Sequence, residues 1–369
     1  MINATHSTLL SLAVCGLLLP TCGSAENPSA RFRNGHHCPS FPEFIPLNTT
    51  QGEYPEGVAA DKFGNVFVSI GGVSGPRGAI LRFTAEGDKS VLVDFGTPGA
   101  VGLAVDADGD VYVARATAPN NGVFRVDRHG HAVRLPGTEQ IVMPNGLAFD
   151  HHGNLYVTET FSFDPPLVTY PNGFAPAFGR GGIWRIPKCG LAELWLRDDL
   201  LTGLGPTLFP YPVGANGIAF YHGDLYVINT DKALVVRVPV LHHGAPGQLE
   251  IWKQVAEVPE SLFNGSPFIP LMLDGLALDV HGNVYIAVPS RAAIVRINAD
   301  DLSQETLAAY PVAPLPDAPL SLAFRMGKGE RGSLFISNGG ISGMIVPGLP
   351  WAGPGLLKIG VGIPGLPLP

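Results

Sequence analysis

The chain has no concentration of lysine or arginine. Its 23 basic residues are outnumbered by 31 acidic ones, giving a net charge of −8. Nucleic-acid binding rests on a clustered basic surface that displaces counterions from phosphate, so no nucleic-acid partner is expected. No Gly-Xaa-Ser-Xaa-Gly elbow, phosphate-binding glycine loop or paired-cysteine metal motif occurs. Their absence removes the usual serine-hydrolase, nucleotide and structural-zinc readings. Nothing resembles a coiled coil, no pattern specifies an oligomeric state, and no membrane span is expected. The apolar stretch Leu9–Leu19 has eleven residues, too few to cross a bilayer.

What the chain does have is 47 glycines and 35 prolines in 369 residues, a composition suited to many turns rather than long helices. Those turns recur in a repeated phrase. Pro55-Glu56-Gly57-Val58-Ala59-Ala60-Asp61 leads through Gly64-Asn65 into Val66-Phe67-Val68, and Ala100-Val101-Gly102-Leu103-Ala104-Val105-Asp106 leads through Gly109-Asp110 into Val111-Tyr112-Val113. Further copies begin at Pro144, Ala215, Leu273 and Pro319. Two short apolar strands joined by a tight Gly/Asn/Asp turn form a hairpin. A third strand follows with a basic residue at a fixed place, Arg82, Arg125, Arg185, Arg237, Arg296 and Lys358, and fourth strands fit at 90–95, 132–137, 191–197, 248–255 and 304–310. A basic residue repeated in every unit is read as structural. Successive copies are offset by 45, 44, 71, 58 and 46 residues, the period of a four-stranded propeller blade. The expected fold is all-β, a six-bladed propeller over residues 41–369 with blades starting near 55, 100, 144, 215, 273 and 319. The last blade lacks a fourth strand, and the apolar segment 41–47 is free to supply one and cover the open edge.

Residues 1–25 contain no Asp, Glu, Lys or Arg and end in Gly23-Ser24-Ala25, which reads as a secretory signal peptide followed by a tail over 26–40. A secreted, periplasmic or extracellular location is therefore expected. Removal of that segment leaves Cys38 and Cys189, which could pair in an oxidising compartment.

The residue that opens each inner strand is Glu56, Val101, Asn145, Asn216, Asp274 and Leu320 in turn. Inner strands line a propeller's channel, so these positions form a ring. Glu56, Asn145, Asn216 and Asp274 would offer two carboxylates and two amide oxygens, an all-oxygen set suited to one hard divalent cation such as Ca2+. No His or Cys occupies the ring, which disfavours zinc. Asn and Asp also favour turns ahead of Gly, but Val101 and Leu320 occupy the same position. Turn chemistry alone does not account for the pattern.

The order Glu, gap, Asn, Asn, Asp, carried by Pro144-Asn145-Gly146 and Asp274-Gly275-Leu276-Ala277-Leu278-Asp279, resembles the senescence-marker-protein/gluconolactonase family across residues 41–369. The resemblance implies a six-bladed propeller with one catalytic divalent ion, usually calcium, on residues matching Glu56, Asn145, Asn216 and Asp274. It also implies hydrolysis of lactones or other activated esters, with Asp274 as general base or nucleophile. Sugar-lactone members carry Arg before and Asp after the third-blade Asn, whereas this chain has Met143-Pro144 and Gly146. That departure points away from a polyhydroxylated substrate. Long inserts at 161–182, 201–214, 259–273 and 338–354 are expected to overhang the ring. Of their aromatic residues, Phe161, Tyr170, Phe209, Tyr211 and Phe268 are candidates to contact an apolar ester or lactone, and the same rings could instead pack as a satellite core. His151, His152, His222 and His281 fall in the turns at the opposite end and are read as solvated. Two alternatives share the fold: a non-catalytic ligand-binding propeller, and a strictosidine-synthase-like enzyme that would not need the four donors.

Overall fold

A computed structural model describes residues 42–73, 75–164, 178–205, 209–311, 316–325, 331–349 and 351–368. The body, Ser40–Pro369, consists of six four-stranded sheets, with Ser342–Ile345 as the sole α-helical turn among the described residues. The protein is a six-bladed β-propeller. No helix among the described residues is long and apolar enough to cross a membrane.

Within each blade the strands pair antiparallel in chain order, the inner strands being Pro55–Ala60, Ala100–Val105, Pro144–Phe149, Ala215–Tyr221, Leu276–Leu278 and Pro319–Phe324. The sixth blade takes its outer strand from the other end of the chain. Phe44–Pro46 pairs antiparallel with Gly355–Gly360, Phe44 opposite Leu357 and Pro46 opposite Gly355. One sheet thereby joins both ends of the repeat and covers an edge that would otherwise expose unpaired backbone groups.

The near-continuous apolar strands follow from burial on both faces. Val58 and Ala60 pack into a cluster shared with Phe335 and Leu356 of blade six, while Ala59 packs into one shared with Leu103 and Val105 of blade two. Each of the four other blade interfaces holds one such cluster. Near the axis the blades converge, and the small residue of the repeat, Ala59, Ala104, Ala148, Ala219, Ala277 or Ala323, faces the next blade at that position.

The turns opposite the ring are self-capped. Asp61 Oδ1 accepts from the backbone N–H groups of Phe63 and Asn65, and its Oδ2 accepts from Asn65 Nδ2. Asp150 and Asp279 repeat the arrangement with Asn154 and Asn283. Third-strand arginines then brace the same turns: Arg82 donates to Asn65 Oδ1 and Arg125 to Asp110 Oδ2.

Candidate metal site at the channel ring

Five of the six inner strands carry a bulge at the ring position, between Pro55 and Val58, Ala100 and Leu103, Pro144 and Leu147, Ala215 and Ile218, and Pro319 and Ser321. A bulge places an extra residue on one strand and re-aims its side chain. In blade five the paired strand begins only at Leu276. Asp274 sits in the lead-in segment, its N–H donating to Ala287 O over 3.0 Å.

Five of the six ring residues are followed by glycine, Leu320 by Ser321, and the glycine has a packing cause. A Cβ on Gly57 would lie 2.3 Å from Val101 O, one on Gly102 would lie 2.1 Å from Asn145 O, and those on Gly146 and Gly217 would meet Asn216 O and Asp274 O at 2.5 and 2.6 Å. Blades one to four thus each press this glycine against the carbonyl of the next blade's ring residue. Glycine is needed in blade two as well, where the ring residue is Val101. The glycine therefore belongs to ring closure, and the oxygen donor beside it needs a separate explanation.

Blade order sets the ring as Leu320, Glu56, Val101, Asn145, Asn216, Asp274. Asn145, Asn216 and Asp274 are consecutive, while Glu56 stands alone between two apolar neighbours. Val101 is buried in the cluster between blades two and three. Burial accordingly pushes the Glu56 carboxyl up to about 7. Asp274 is raised well above the usual carboxylate range, first by burial and then by the charge of Glu56, while a hydrogen bond from Asn216 pulls partly the other way. The carboxylates of blades one and five thus act on each other across the channel, with Asn216 bonded to one of them.

Threonines orient the two amides. Asn216 Nδ2 donates to Thr230 Oγ1 over 3.0 Å, and Asn145 Nδ2 to Thr160 Oγ1 over 3.3 Å. The Thr160 hydroxyl spends its proton on Ala215 O at 3.0 Å, so it can only accept from the asparagine, and the Nδ2 side of Asn145 must face it. Both amide oxygens are left for another partner. Sequence reading missed these threonines. They lie just past the second strand in blades three and four only, beside the two ring asparagines.

Each of the four inserts is tied at its base by a charged side chain. Arg197 pairs with buried Glu159 at 2.8 Å and reaches Asp164 Oδ2 and Arg180 O at the two ends of the first insert. Buried Asp231 accepts from the Leu204 and Val213 N–H groups, and buried Asp317 from those of Ser342 and Gly353. Arg291, fully buried, donates to Ile269 O and holds Glu257 through two hydrogen bonds of 2.7 and 2.8 Å.

The aromatic candidates divide. Phe161 meets Phe178 at 4.8 Å and Tyr211 at 5.4 Å, and Tyr211 stacks on Phe209 at 5.7 Å. Phe161 and Phe178 are each 7% exposed and pack with Met143, so they form the floor of a satellite cluster rather than a contact surface. Tyr211 is half-buried at its edge, and its hydroxyl is shifted upward by burial and by the charge of Glu56, which puts it within electrostatic reach of the ring. Phe268 stands apart, 86% exposed. Tyr170 and Cys38 lie outside the described residues, and Cys189 is an exposed free thiol. A second aromatic group, Phe263 stacked on Trp351 with Tyr310 beside it, bridges the third and fourth inserts.

No protein-family model matches the chain, and no curated sequence matches it. Solved structures do share its fold. A gluconolactonase from Xanthomonas campestris superposes with a TM-score of 0.56 at 20% identity, covering 85% of this chain and 87% of its own. The calcium-binding protein regucalcin from Agrobacterium tumefaciens gives 0.58 at 17% identity, covering 89% and 97%. A chain of a nidogen/laminin complex gives 0.50 at 13%, covering 70% and 80%. At these identities the likeness concerns the propeller.

Proposed function

We propose that this protein is a metal-dependent hydrolase of lactones or other activated esters, working at the ring formed by Glu56, Asn145, Asn216 and Asp274. The reading is carried by one observation: two half-buried carboxylates act on each other at one channel, with no Lys or Arg of the described residues lowering either one, beside two amides whose nitrogens are tied back by threonines. Concentrated negative charge with preset carbonyl dipoles fits a hard divalent ion, and calcium matches the all-oxygen donor set best. When bound, such an ion supplies Lewis-acid polarisation of the scissile carbonyl oxygen.

The remaining work falls to the chain's own groups. In this reading Asp274 takes a proton from an attacking water or attacks the carbonyl itself, with its carboxylate held by a hydrogen bond from Asn216. Tyr211 with Phe209 offers an apolar face ending in a hydroxyl. This suits an apolar acyl or lactone group. The gluconolactonase and regucalcin propellers support the reading without deciding it, since the nidogen likeness shows the same fold in a protein complex. Secretion is part of the proposal and rests on the charge-free, apolar character of residues 1–25.

A panel of lactones and aryl esters, assayed with and without chelator, tests it. Hydrolysis that chelation abolishes and calcium restores is expected. Metal binding without turnover of any of them would favour a non-catalytic binding propeller, and chelator-insensitive hydrolysis would exclude the ring as the catalytic centre.

A further inference from the structure

Below the ring residues the channel holds a chamber of about 860 Å³ whose wall is built from the inner strands of all six blades. The four ring donors are not part of that wall. Gly102, Gly146, Gly217, Gly275 and Ser321 form its upper limit, and below them the lining is mostly Val, Leu, Ile, Phe and Ala, with no Asp, Glu, Lys or Arg among the described residues. Its titratable side chains, His151, Tyr221 and His222, lie at the lower mouth. Volume and lining match those of small-molecule pockets. A charged ligand would lose its hydration there without gaining a partner.

The lower mouth is crossed by the end of the chain. Leu366 packs on the apolar cluster between blades four and five, and Leu368 on that between blades one and two, so the segment between them spans the opening. Among the described residues its backbone hydrogen bonds lie at the near side: Val280 N–H to Pro364 O at 3.0 Å, Leu366 N–H to Leu278 O at 3.3 Å and Gly365 N–H to Arg331 O at 3.4 Å. The far end, at Leu368, rests on apolar contact. Two leucines of the protein's own chain already use this wall as a hydrophobic binding surface.

We propose that this chamber is a second ligand site, distinct from the ring, that takes one uncharged apolar small molecule, with residues 363–368 as its gate. The uncharged dye Nile red tests this on the full chain. One-site, saturable binding with blue-shifted emission is expected, unaffected by chelator, displaced by decanol and not by decanoate. Ala104→Phe and Ala219→Phe add bulk where the half-buried wall meets the next blade's cluster, and should weaken binding at least tenfold. Deleting residues 363–369 should speed association several-fold. Unsaturable binding, displacement by decanoate as effective as by decanol, or affinity unchanged in correctly folded filling variants would overturn the site. Association no faster in the deletion variant would overturn the gate, and that arm stays decisive even if a filling variant fails to fold.

Discussion

Replacing Glu56 by glutamine tests the charge balance of the ring in the metal-free state. In the folded chain burial raises this carboxyl from 4.5 to about 7, so between those values the native state holds a proton that the unfolded state has released. Stability from this source is fully present below pH 4.5 and is lost as pH rises through 7. A shift of about 2.5 pH units at 1.36 kcal/mol each amounts to about 3 kcal/mol. For a body spanning Ser40–Pro369 that is a fall in Tm of about 4–5 °C. Asp274 adds to it with the same sign, since its carboxyl is raised as well. The assay is thermal unfolding in chelator from pH 5 to 8. Wild type should lose stability across that range, Glu56→Gln should flatten the loss, and saturating calcium should remove it from wild type by balancing both carboxylates. An equally steep profile in Glu56→Gln, or a flat one in wild type, would refute the electrostatic account of the ring.

Other expectations follow from the same geometry. Thr160→Val removes the hydroxyl that orients Asn145 and should weaken calcium binding about 10–100-fold by calorimetry while leaving the blades folded. Gly102→Ala drives a methyl group into Asn145 O at 2.1 Å and should cost about 2–3 kcal/mol or more in denaturant unfolding. Asp317→Ala strands the Ser342 and Gly353 N–H groups, at about 1–3 kcal/mol each, and limited proteolysis should then cut within 339–354 first. Removing residues 42–47 uncovers the edge of Gly355–Gly360 and should produce concentration-dependent association in light scattering.

The blades were legible because both determinants are local: short near-continuous apolar runs mark the strands, and Asp…Gly-Asn turns mark the hairpins. The donor positions stood out by comparison with Val101 and Leu320 in the same register. What the sequence could not reveal depends on neighbours distant in the chain. Gly102 reads as turn chemistry until Asn145 O is seen against it, and Thr160 is one more polar residue until Ala215 O takes its proton. Asp231, Arg291 and Asp317 carry no motif, because their partners are backbone groups of loops whose path follows from the fold. The aromatic inserts were only half readable. Phe161 and Tyr211 come together, whereas Phe268, on an insert of similar composition, stands in solvent.

The central claim is that Glu56, Asn145, Asn216 and Asp274 form one cation site. Calorimetric titration of calcium into chelated wild type and into Glu56→Gln, Asn145→Ala, Asn216→Ala and Asp274→Ala measures it directly. One ion per chain in wild type, with every variant weakened at least tenfold while still folded, is the predicted result. Wild-type affinity retained in folded Glu56→Gln and Asp274→Ala would contradict it.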